Sequence, residues 1–77
     1  MYKIHVVWNL DGNTITRDIY DVEKAFYNTS SANTEVPSNN MLSHQFLPGV
    51  NYWFQGPTCN YLINHKGIIS LEVYTQS

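Results

Sequence analysis

The sequence predicts an α+β fold: an antiparallel sheet of about five strands in the order β-β-α-loop-β-β-β, with one short helix packed on one face. Three observations predict it. Apolar and polar residues alternate on both sides of an Asp-Gly pair near the N-terminus, and again around an Asn-His-Lys-Gly tetrad near the C-terminus. Between them lies one short stretch with helical spacing.

The N-terminal hairpin is the clearest element. Tyr2, Ile4, Val6 and Trp8 alternate with Lys3, His5, Val7 and Asn9, the period of a half-buried strand. Asp11-Gly12 suits the two positive-φ positions of a type I′ turn. A two-residue loop pairs Leu10 with Asn13 and sets the register. Trp8 then meets Ile15, Val6 meets Arg17 and Ile4 meets Ile19 on an apolar face. Asn9 meets Thr14, Val7 meets Thr16, His5 meets Asp18 and Lys3 meets Tyr20 on a polar one. Arg17 is the misfit among the apolar residues, with a stem long enough to reach the sheet edge.

Asp21 can cap a helix, and Val22, Ala25 and Phe26 fall at i, i+3 and i+4. The spacing predicts a short helix over 21–27, packing Phe26 onto the face that carries Ile4 and Trp8. Residues 28–40, NTSSANTEVPSNN, are almost wholly polar and read as a long connecting loop. Met41, Leu42, Gln45 and Phe46 fit one side of a helical turn begun by Ser38, or a short strand.

Val50, Tyr52 and Phe54 alternate with Asn51, Trp53 and Gln55 in a third strand, which Gly56-Pro57 ends. A final hairpin over 58–75 turns at Asn64-His65-Lys66-Gly67, with Gly67 in the left-handed position. Its register aligns Ile63 with Ile69, Tyr61 with Leu71 and Cys59 with Val73. Cys59 is expected to be an inert core thiol there.

Bulk composition bounds the function. With 77 residues the chain has room for one small domain, 1–77. Four Lys and Arg against six acidic residues give a net charge of −2, a poor footprint for nucleic acid and too few acids to imitate one. One cysteine excludes an internal disulfide framework, which together with the lack of a signal-like N-terminus implies the cytoplasm. No stretch approaches a membrane span. His5, His44 and His65 lack ligand spacing, so no metal and no cofactor is expected. No phosphate-binding glycine loop or nucleophile elbow occurs, and a domain this small has little space for a catalytic cleft. The chain therefore reads as a non-enzyme.

What remains is a surface. Aromatic residues make up 14% of the chain, more than so small a core readily absorbs. If Tyr52 and Phe54 face inward, Trp53 faces outward between Asn51 and Gln55, an aromatic anchor ringed by amides. The 28–40 loop, through Asn39 and Asn40, is placed to extend this binding face. Nine asparagines are the composition of an AT-rich coding sequence, common in bacteriophages and some bacteria. The expectation is a protein-binding module of phage or mobile-element type that inhibits or modulates a host or bacterial protein. A small-ligand binder for nucleotide-like rings at a homo-oligomer interface, and a structural or immunity-type subunit, are the alternatives.

Overall fold

The computed structural model describes residues 1–28 and 32–76. Among these the chain forms β1 (Tyr2–Leu10), β2 (Asn13–Val22), β3 (Lys24–Asn28), β4 (Asn33–Glu35), a 3₁₀ turn (Ser38–Asn40), β5 (Asn51–Gln55), β6 (Asn60–Ile63) and β7 (Ile68–Thr75). They assemble into a three-stranded antiparallel sheet, β2-β1-β7, and a four-stranded one, β4-β3-β5-β6. The fold is nearly all-β. The expected α+β architecture, one sheet of five strands with a packed helix, is overturned.

The first hairpin has the expected register from Ile4–Ile19 to Leu10–Asn13, including His5 opposite Asp18 and Trp8 opposite Ile15. Asp11 and Gly12 have φ of 53° and 82°, as a type I′ turn requires. The outer end differs. A bulge between Tyr2 and Ile4 pairs Tyr2 with Val22, displacing the expected Lys3–Tyr20 pair.

The segment read as a helix is strand β3. Ala25 and Tyr27 alternate with Lys24 and Phe26, and β3 lies between β4 and β5, whose ladders satisfy its backbone groups. A two-turn helix has no comparable support, because helix nucleation is costly and short helices depend on packing. Asp21 is not a cap: its φ of 61° bends the chain out of the first sheet and into the second. Phe26 therefore lies across from Trp53, not against Ile4 and Trp8.

The hairpin over 58–75 is also corrected. The turn exists, and Gly67 has the expected left-handed φ of 84°, but β6 pairs with β5 and β7 pairs with β1. The turn carries the chain from one sheet to the other. Asn9 N–H donates to the Gly67 carbonyl at 2.8 Å, anchoring the crossing on β1.

The polar stretch 28–40 is more than a connector. β4 folds back along β3 with Asn28 opposite Asn33, and the Val36 amide donates to the Ala25 carbonyl at 2.8 Å. Residues 29–31 of the stretch lie outside the described residues. Val36 and Met41 then enter the core at 3% and 1% exposure, closing one side of it.

The inner faces of both sheets supply one core. Ile4, Val6, Ile19 and Leu71 come from the three-stranded sheet, and Ala25, Tyr52, Phe54 and Ile63 from the four-stranded one. The smallest overall dimension, 23 Å, is that of two layers roughly 10 Å apart plus their outer side chains. Tyr52 lies at the centre, fully buried and stacked on Phe54 at 5.9 Å and Phe46 at 6.2 Å. Its hydroxyl accepts from the Leu47 amide at 2.9 Å and meets His44 Nε2 at 2.9 Å. The hydroxyl is satisfied without water when its own proton goes to Nε2, which makes His44 the Nδ1–H tautomer.

Candidate functional site

Register decides which side chains share the outer face of the four-stranded sheet. Glu35, Phe26, Trp53 and Leu62 stand directly opposite one another across β4, β3, β5 and β6. This is a single cross-strand row, apolar in three of its four members. On one side of it runs a row of amides, Asn33, Asn28 and Asn51; on the other stand Lys24, Gln55 and Asn60. The face thus has an apolar centre with polar flanks.

Trp53 is held in place. Its ring lies 5.1 Å from that of Phe26, tilted by 32°. Its indole N–H donates to the Asn60 side-chain oxygen. With the ring fixed at one face and one edge, little rotamer entropy remains to be lost on contact with a partner. Trp53, Asn60 and Leu62 border a shallow hollow of about 320 Å³. Leu62 is 78% exposed, although leucine side chains are usually withdrawn from water.

The residues expected to form the site separate into two groups. Asn51, Trp53 and Gln55 do share this face. Asn51, however, is engaged: its side-chain oxygen accepts from His65 N–H at 2.8 Å and from His65 Nδ1 at 2.9 Å. It ties the β6–β7 turn to the start of β5. Asn39 and Asn40 belong to the 3₁₀ turn and are not brought to Trp53. Asn40 instead borders a cleft of about 440 Å³ with Tyr27, Ser43 and His44. Tyr27 points to the opposite side of β3 from Phe26, so this cleft opens away from the Trp53 row.

Phe26, Asn60 and Leu62 are the members that sequence reasoning missed. Helical spacing puts Phe26 on a helix, and a hairpin over 58–75 would set Leu62 and Asn60 beside the C-terminal strand, away from Trp53. The signal was present: alternation from Ile63 leaves Leu62 outward on any strand pairing. The unknown was its neighbour.

Chemistry elsewhere is sparse. Among the described residues no three His, Cys, Asp or Glu side chains gather as a metal site. Cys59 is half-buried rather than a core residue, with its thiol 3.6 Å from the Tyr20 carbonyl and 3.5 Å from that of Asp21. Partial burial, then the charges of Asp21 and Glu23, push its pKa up, which disfavours the nucleophilic thiolate. Burial pushes His44 below its ordinary value of 6.5. No described helix is long and apolar enough to cross a membrane. No protein-family model matches the chain, and comparisons with curated proteins and with solved structures return no match.

Proposed function

We propose that the chain is a non-enzymatic protein-binding module that docks through the outer face of its four-stranded sheet, and that it modulates or inhibits a host protein in the cytoplasm. The single observation that carries this reading is the row Phe26–Trp53–Leu62, half-buried at the two rings and exposed at Leu62, on the outer sheet face between two polar rows. An aromatic residue that is rigid before binding is the typical hot spot, surrounded by weaker contacts that exclude water. The partner that complements it presents an apolar side chain to the hollow beside Leu62 and amide or backbone groups to the flanking rows. The cytoplasmic setting is supported by the one cysteine, which has no internal disulfide partner. The phage-type origin is supported by composition alone.

A photoreactive residue at position 62, compared with one at Thr16 on the other sheet, tests the docking face. Cross-linking to a defined protein from position 62 but not 16, lost in Trp53→Ala, is the expected result. Equal cross-linking from both positions contradicts it.

A further inference from the structure

A second site lies at one open end of the two-sheet core. Trp8, Leu10, Arg17 and Ile19 from the three-stranded sheet face Tyr61 and Ile63 from the four-stranded one, with Leu62, Asn64 and Lys66 at the rim. Together they enclose a mouth of about 290 Å³, at the lower end of small-molecule sites. Its walls are aromatic and aliphatic. Its only charges are two of the chain's four cations, and no acidic residue lines it.

Arg17 explains its own odd position here. It occupies the apolar face of β2, opposite Val6, and its guanidinium lies 5.0 Å from the Tyr61 ring centre. The ring attracts the guanidinium to this position, and its N–H groups can bind an acceptor there. Among the described residues the one ion pair is His5–Asp18, so neither Arg17 nor Lys66 has a carboxylate partner. A polyanion does not suit the place. The other two cations lie on different faces, Lys3 over the Tyr74 ring and Lys24 opposite Gln55, so no continuous basic track leads away from the mouth.

We propose that this mouth binds a small amphipathic carboxylate, with its apolar body between Trp8 and Tyr61 and its carboxylate on Arg17 and Lys66. Apolar walls supply the affinity, and the planar fork of the guanidinium supplies the preference for a carboxylate. The same chemistry is offered by a free aromatic or aliphatic acid and by the C-terminal carboxylate of a peptide that ends in an apolar residue.

Amide and indole spectra of isotope-labelled protein, titrated with 3-phenylpropionate, test the assignment. Saturable shifts at the Trp8 indole and around Arg17 and Tyr61 are expected. The neutral analogue 3-phenylpropionamide should bind about tenfold or more weakly, and Arg17→Gln and Lys66→Gln should each weaken the acid but not the amide. N-acetyl-phenylalanine binding more tightly than 3-phenylpropionate assigns the site to a chain terminus; the reverse assigns it to a free acid. Trp53→Ala leaves the site intact, which separates this result from the fate of the docking face. Lys66 is exposed in a turn, so its substitution reads the charge even if Arg17→Gln disturbs folding. The proposal is overturned by an absence of saturable shifts at millimolar acid, by acid and amide binding alike, or by unchanged binding in folded Lys66→Gln.

Discussion

Gln76 holds Asp21 from two sides: its side-chain oxygen accepts from the Asp21 amide at 2.8 Å, and its side-chain nitrogen donates to the Asp21 carboxylate at 2.6 Å. The two residues are 55 positions apart. The clamp sits where the chain leaves one sheet for the other with a left-handed Asp21, so it fixes the angle between β2 and β3. Gln76→Ala removes both bonds, one of them to a charged group. A loss of about 1–3 kcal/mol is expected in urea melts, with no change at the Asp11-Gly12 hairpin.

Gly56 is the tightest point near the same bend. A β-carbon there would overlap the Asp21 carbonyl oxygen and press on the Cys59 thiol. The obstacle is backbone, which cannot swing aside. Gly56→Ala should therefore cost about 3 kcal/mol or more, enough to leave so small a domain largely unfolded. Gly12→Ala meets only the positive φ, with open space around it, and should cost about 1–2 kcal/mol. The ranking of the two melts checks the account of the bend.

His44 gives the fold a pH dependence whose sign follows from burial. Its folded pKa lies below the unfolded value of 6.5, so in that window the unfolded chain binds more protons. The contribution of His44 is fully present above pH 6.5 and is lost as pH falls through 6.5 towards the folded pKa. Replacement by Gln removes this term while His5, His65 and the carboxylates stay common to both chains. The wild-type melting temperature should fall more steeply than that of His44→Gln on acidification below pH 6.5. In a separate experiment at neutral pH, Tyr52→Phe strips the Leu47 amide and His44 of their shared partner. About 1–3 kcal/mol of stability should go with it.

These elements differ in how far the sequence discloses them. The first hairpin was legible through His5 and Asp18, because Asp11-Gly12 fixes both turn type and register over so short a span. Pairing between distant segments was not. Val22, Ala25 and Phe26 satisfy a helical spacing, while Ala25 and Tyr27 satisfy a strand, and only the presence of β5 alongside decides between them. Ile63 and Leu71 do face the core, as alternation implies, but alternation reports the face and never the neighbour. It was therefore silent on β6 and β7 entering different sheets. The outward turn of Trp53 was readable for the same reason that its contacts with Phe26, Asn60 and Leu62 were not.

On the proposed function, Trp53 serves a partner more than it serves the fold. The most direct test measures thermal unfolding and binding to the protein cross-linked at position 62, for wild type, Trp53→Ala and the control Thr16→Ala. Trp53→Ala should bind about thirtyfold or more weakly, equivalent to roughly 2 kcal/mol, with a modest change in melting, while Thr16→Ala binds as wild type. A loss of about 3–5 kcal/mol of stability in Trp53→Ala, with undiminished binding by the molecules that remain folded, would contradict it.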